Sequence, residues 1–327
     1  MKRTAIFRWA GVAILVLAAL LLAGWLAFVP WSKEPGYEFV AAWGELGSAP
    51  GRFHDPTGIA VAGDEVFVSD SRNARIQVFD LDGHFVRQFG TKGDGPGELG
   101  RPMNLTVFDD ELYVADYWND RIEVFALDGT QRRTIGRKGS GPGEFNAPGG
   151  VAVAPNGDLF VADFHNQRVQ HLRPDGSFVR QWGATRERGS AAGMFNYPTD
   201  VALGPDGTLY VADGYNDRIQ AFSPDGAFLD KWGGPFAINV HGPFQGWFAT
   251  VTGLAVDRAG HVFVADFYNN RVQKFAPDGT FLTAFGEPGD GAGQLDHPIA
   301  VAVGDDDTVF VVDYGNNRIL AWRPPGG

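Results

Sequence analysis

Short apolar runs of strand length follow one another through the chain, each closed by Gly, Pro, Asn or Asp. One stretch shows the arrangement. Residues 150–153, 159–162, 168–172 and 178–182 are rich in Val, Leu and Phe, and each fits a β-strand. Asn156-Gly157 and Asp175-Gly176 fall between them, where a hairpin turn tolerates positive φ. The first run alternates little, as expected of a strand buried on both faces by neighbours. No helical periodicity of useful length occurs after Val29. The pattern predicts an all-β body.

That four-strand unit recurs. Six segments read alike, 68–80 (VSDSRNARIQVFD), 114–126, 161–173, 211–223, 264–276 and 311–323, with their Asp at 70, 116, 163, 213, 266 and 313. A spacing near 50 residues is that of propeller blades. The last repeat stops after its third strand, and an orphan fourth strand, 38–44, stands before the first. It matches 85–90 (FVRQFG) and 228–233 (FLDKWG). The expected fold is a six-bladed β-propeller over 37–327 whose N-terminal strand closes the last blade, leaving no open sheet edge.

The motif V-A-D-x-x-N-x-R-[IV]-x-x-F, preceded by G-x-G-P-G-x-[FL]-x-x-P, recurs along almost everything after Gly36. In these residues the chain resembles the NHL-repeat propellers, among them membrane-anchored bacterial ones. WD40 and kelch propellers share the period but not the signature. Asp163, Asn166 and Arg168 have counterparts in nearly every blade, and six copies do not make one active site. Turn and loop chemistry accounts for them. The stretches 93–97 and 139–143 lack the Lys-Ser/Thr and helix of a phosphate loop. Asp305, Asp306 and Asp307 fall where other blades carry Pro-Asn-Gly or Pro-Asp-Gly, so a turn is expected there.

Ahead of the repeats, residues 9–29 carry no charge, and as a helix they would span about 31 Å, the thickness of a hydrocarbon core. Lys2, Arg3 and Arg8 precede this run, and Trp9, Trp25 and Trp31 stand near its ends. The expectation is a cytoplasmic segment 1–8, a transmembrane signal anchor 9–29, a linker 30–36 and a periplasmic or extracellular propeller. A cleaved signal peptide would have a shorter apolar core and a small-x-small exit, which 26–30 does not offer. The remaining chain holds 24 basic and 39 acidic groups, a net of −15, which disfavours nucleic acid as a partner. No cysteine is present, so disulfides and thiolate sites are excluded.

With the four strands of each repeat lettered a to d in chain order (150–153, 159–162, 168–172 and 178–182 in the third), function is expected where the six copies diverge, on the face carrying the d–a and b–c loops. The residues after the repeated Asp form an aromatic rim that includes Tyr117, Trp118, His165, Tyr215 and Tyr268. Such rings suit recognition, or packing against the next blade. The divergent loop 233–250, with His241, Phe244 and Trp247, replaces the glycine-rich connection and is expected to reach partly over the channel. Among channel-lining positions only Asn104 and Asp200 are polar.

Two functions follow. One is an anchored module that binds an envelope protein, a membrane protein or a small ligand through this face, without a cofactor. The other, implied by resemblance, is a metal-dependent propeller enzyme of the amidating-lyase or lactonase type. The lyases use several histidines, but here only His54 and His297 stand just before an inner strand. The lactonases hold a divalent ion with Glu, Asn and Asp, of which Asn104 and Asp200 are a partial echo.

Overall fold

The computed structural model describes residues 14–19, 24 and 28–326. The predicted segment 1–8 and most of 9–29 lie outside those residues. Among the described residues no helix is long and apolar enough to cross a membrane.

Six four-stranded antiparallel sheets stand around a channel, each a meander with strand a innermost and strand d outermost. In blade 3 the strands are Pro148–Val153, Leu159–Asp163, Arg168–Leu172 and Phe178–Trp182; the first two are longer at one end than the apolar runs, by two residues and one, and the last two coincide with them. Glu38–Trp43 lies antiparallel to Arg318–Arg323, with Phe39 opposite Trp322 and Trp43 opposite Ile319, so the N-terminal strand completes blade 6. Every c–d pairing carries one register shift at the same place, for example at Val78/Phe79 and Ala221/Phe222, and the closing pair carries it at Phe39/Ala41. The closing strand has therefore the full geometry of a fourth strand.

The core lies between blades. The last residue of strand d meets the aromatic near the end of strand c in the next blade. Ring centroids are 6.1 Å apart for Trp43–Phe79, 5.2 Å for Phe89–Phe125, 5.9 Å for Trp182–Phe222, 6.0 Å for Trp232–Phe275 and 5.2 Å for Phe285–Trp322. The contact across the closing seam is thus the same as elsewhere in the ring. Only blade 2 differs, ending in Ile135, which packs with Leu172.

The repeated Asp, Asn and Arg form one clamp per blade. All six aspartates are fully buried. In five blades the Arg Nε donates to the Asp at 2.7–2.8 Å; in blade 2, Arg121 pairs with Glu123 at 2.9 Å instead. The Arg Nη groups donate to carbonyls of the incoming d–a loop, as Arg168 does to Gly141 and Glu144. Each Asn Nδ2 donates to the first glycine of that loop, from Gly47 to Gly289, at 2.8–2.9 Å. In five blades the buried Asp is both paired and hydrogen-bonded, which compensates its burial; in blade 2 Asp116 is held by the N–H groups of Gly100 and Arg101 and by Asn119 instead.

A second device joins the blades. The residue after each Asn adopts left-handed φ, and its side chain accepts the N–H of the residue preceding the next blade's strand a. Asp120 accepts from Ala147, Gln167 from Tyr197, Asp217 from Thr250, Asn270 from His297 and Asn317 from Asp55, at 2.6–2.9 Å. Those five donors are themselves at positive φ, a strained state for non-glycine residues that the bond holds. In blade 1 the position is Ala74, which has no acceptor, and Arg101 takes ordinary φ and donates to Asp116.

Arg218→Met would leave Asp213 buried without its guanidinium. Urea denaturation is expected to show a loss of about 3–5 kcal/mol, whereas Arg52→Met, at the exposed Arg52–Glu45 pair, changes stability by less than about 1 kcal/mol. Equal effects from the two would mean that Asn216 and the backbone hold the aspartate unaided.

Candidate functional site

The b–c turns place their variable residues at one mouth of the channel. Tight turns at Phe164–Asn166, Gly214–Asn216 and Phe267–Asn269 follow directly from strands b. Because the buried Asp and Asn hold both ends of each turn, the two residues between them project outward. A cavity of about 300 Å³ opens there, lined among others by Arg101, Tyr117, Phe164 and Tyr215.

Rings from blades 2, 3 and 4 converge on this cavity. Phe164 lies 6.0 Å from Tyr117, 4.7 Å from Tyr197 and 6.4 Å from Tyr215, and Tyr197 lies 5.2 Å from Tyr215. Tyr117 Oη and His165 Nε2 share a hydrogen bond of 3.0 Å. Burial pushes the Tyr117 phenol above its usual pKa. The Arg101 guanidinium stands over both Tyr117 and Trp118, at 5.9 and 5.7 Å. Trp118 and Tyr215 keep more than half their surface exposed.

Of the rim residues singled out in the sequence, the structure places Tyr117, Trp118, His165 and Tyr215 on blades 2, 3 and 4 in and around this cluster. Tyr268 belongs to a second group with Phe267, His297 and Tyr314 on blades 5 and 6. Three members of the main cluster carry weaker sequence signals. Phe164 lies in the rim but beside the more polar His165. Arg101 and Tyr197 precede a strand a, a position that reads as connection until its side chain is seen to face the mouth.

The loop 233–250 differs from expectation in two ways. It does not replace the glycine-rich turn but contains it. Gly242 N donates to Phe248 O as Gly93 N does to Leu99 O and Gly139 N to Phe145 O, so the added length is confined to 234–241. The turn needs glycine only at its first and fifth positions, here Gly242 and Gly246, and the missing Gly-Pro-Gly hid it. Nor does its aromatic part turn toward the channel. Trp247 Nε1 donates to Phe28 O, Phe244 packs edge-on against Trp247, and Gln245 donates to Ser32, so this part lies against the N-terminal linker. His241 is exposed on the added segment.

Below the mouth the channel narrows. A Cβ on Gly58 would stand 2.3 Å from Met103 O, and one on Gly150 would stand 2.0 Å from Asp200 Oδ1. Asn104 lines both the mouth and a second cavity of about 220 Å³ beyond this waist. Asp200 Oδ2 accepts from Asn104 Nδ2 at 2.5 Å and from Leu254 N at 3.0 Å, which ties strands a of blades 2, 4 and 5 across the channel. Its Oδ1 is buried without a partner. Burial pushes the Asp200 carboxyl up to about 7, with the backbone and Asn104 donors opposing only part of the rise.

These two residues alone do not supply the ligand set of a metal site. Asn104 turns its N–H toward Asp200 and its oxygen to Leu105 N, so Asp200 Oδ1 is the single free donor atom, where zinc wants three or four ligands and calcium more. His297 bonds Asp296 and its ring packs at a tilt 4.6 Å from Phe267. Among the described residues Asp80, Asp82 and His84 are close enough to share an ion. Their arrangement is turn geometry, since Asp257 and His261 reproduce it without a third ligand. Asp306 likewise caps its own turn through Thr308.

Because the folded pKa of Asp200 lies above the unfolded value, the folded state holds the extra proton between about pH 4 and 7. Its contribution is harmless below that window and costs stability as pH rises through it. Wild type compared with Asp200→Asn is expected to lose stability by up to about 1.4 kcal/mol per pH unit there, in chemical denaturation at several pH values. Parallel pH profiles for the two proteins would place the ionised carboxylate in a solvated setting.

The repeats match the NHL repeat family over residues 53–79, 145–172, 195–222 and 248–275. The four matched blades are those with Gln at the third residue of strand c, Gln77, Gln170, Gln220 and Gln273, whose Nε2 joins the clamp; Glu123 and Leu320 stand there in the other two. No curated protein matches the chain in sequence. Solved structures share the fold. A protein of unknown function from Bacteroides thetaiotaomicron superposes with TM-score 0.66 at 16% identity, covering 88% of this chain and 75% of that one. A gluconolactonase from Xanthomonas campestris gives 0.61 at 17%, covering 91% and 98%. A streptogramin B lyase gives 0.59 at 16%, covering 90% and 99%. With four matched repeats, six blades and one shared clamp, the chain is an NHL-repeat six-bladed β-propeller.

Proposed function

We propose that this propeller is a binding or scaffolding module held at a membrane by residues 9–29, with its N-terminus cytoplasmic and its body periplasmic or extracellular. It would take a small ligand, or a side chain of an envelope or membrane protein, at the channel mouth. The observation that carries this reading is that Tyr117, Phe164 and Tyr215 line one cavity together with Arg101, while His165 and Tyr197 pack against those rings. Aromatic and Arg side chains at the centre of a concave patch are what recognition sites are made of. The reading is narrower than the whole loop face, because Phe244 and Trp247 are engaged with the linker. The acidic body speaks against nucleic acid.

The enzymatic alternative draws on the lyase and lactonase names of two fold neighbours and on the raised pKa of Asp200. The donor set at Asn104 and Asp200 counts against a metal there, and Asp200 is sealed beneath the mouth rather than lining it. Metal analysis of the purified chain separates the readings, since a stoichiometric ion lost in Asp200→Asn would favour the enzyme.

Full-length protein captured from its own membranes is expected to bring down a partner or ligand that Tyr117→Ala/Tyr215→Ala loses by about 30-fold, the scale of a 2 kcal/mol hot spot. Undiminished recovery, with thermal unfolding unchanged, would move the binding surface away from the mouth.

A further inference from the structure

The added segment of the blade 5 incoming loop presents apolar side chains outward. Phe236 is 71% exposed, Ile238 46% and Val240 37%, while Ala237 between them is buried. Among the described residues, the other five incoming loops expose one large apolar side chain, Leu46. The alternation is held in place. Ala237 O accepts from Arg218 Nη1 at 3.0 Å and from Lys231 Nζ at 3.2 Å, and Asn239 N donates to Asn216 O at 3.2 Å. Phe236, Ala237 and Asn239 all sit at left-handed φ, a conformation that persists only where the surroundings impose it.

The segment also meets the chain where it leaves the uncharged run. The Phe28 ring is 5.2 Å from Phe236, and Trp31, three residues on, is 70% exposed. Lys33 and Lys231 border the groove between this segment and the linker. We propose that Phe236, Ile238 and Val240, together with Trp31, insert into the interfacial layer of the phospholipid bilayer and seat the propeller on its blade 4–5 side. The proposal rests on the reading of 9–29 as an anchor, because that run fixes where lipid must be. Aromatic and aliphatic side chains flanked by lysine suit the headgroup boundary. The seat is apolar rather than electrostatic, as a body of net −15 requires beside anionic lipid.

The absence of cysteine makes the test direct. The full chain is reconstituted in phosphatidylcholine nanodiscs with a polarity-sensitive fluorophore on Ile238→Cys or, at the a–b turn on the opposite face, on Asp64→Cys. Lipids spin-labelled near the headgroup are expected to quench the label at 238 at least twofold and leave that at 64 unchanged. Equal quenching at both sites overturns the proposal, as does a blue-shifted label at 238 that spin-labelled lipid does not quench, which would mean protein covers the patch. Alkaline carbonate extraction of the same chain from native membranes reads the anchor separately. Release into the supernatant would refute the anchor and this seat together, whereas retention with no quenching at 238 refutes the seat alone. Phe236→Asp/Ile238→Asp should remain in the pellet while a label at Val240→Cys loses its quenching.

Discussion

The ring closes through one pairing of distant segments, Glu38–Trp43 against Arg318–Arg323, and the rest of the structure depends on it. A propeller blade cannot bury both faces alone; each relies on a neighbour on either side. Closure gives blade 6 its outer strand and brings Trp43 onto Phe79 and Phe310, so the last seam matches the others in chemistry. Without that pairing there would be neither a channel nor a mouth, because both are defined by six inner strands held in a circle.

Given a closed ring, the buried clamp separates structure from recognition. Asp, Asn and Arg bind the backbone of the incoming loops through carbonyls and N–H groups and ask little of the side chains. The turn residues between Asp and Asn are therefore free to vary. In blades 2 to 6 that freedom is used for rings, which gather into one group on blades 2, 3 and 4 and another on blades 5 and 6, while blade 1 carries Ser71 and Arg72. Ser71 is buried, donating to Pro102 O, so it serves the seam rather than the mouth. The two aromatic groups accordingly leave a gap in the rim at blade 1.

Most of the architecture could be read from the chain, for physical reasons. Strand runs, hairpin glycines and the Asp spacing each report local chemistry, and repetition multiplied a weak signal sixfold. The strand-d match of 38–44 sufficed to foresee closure. What escaped was whatever depends on side chains meeting across blades. Nothing in the sequence marks Tyr197 as a neighbour of Phe164, since they come from separate blades and different loops. The inter-blade bonds of Asp120, Gln167, Asp217, Asn270 and Asn317 escaped likewise, because five positions using three residue types show no motif although each supplies the same acceptor. The loop 233–250 misled because its glycines persist at two positions while the residues between them change.

The strand that closes the ring follows directly on residues 30–37, so a pull on the chain ahead of Pro30 is transmitted to the lock. A force applied at that end would work first against the contacts of Phe28 with Trp247 and Phe236 and of Ser32 with Gln245, then against Lys33 N and Glu34 N on Leu282 O and the Lys274–Glu34 ion pair. It would then run along the axis of Glu38–Trp43, loading the paired residues in shear, all at once, instead of peeling them singly. Mechanical resistance would thus be greatest along that strand, and yielding there would open the whole circle.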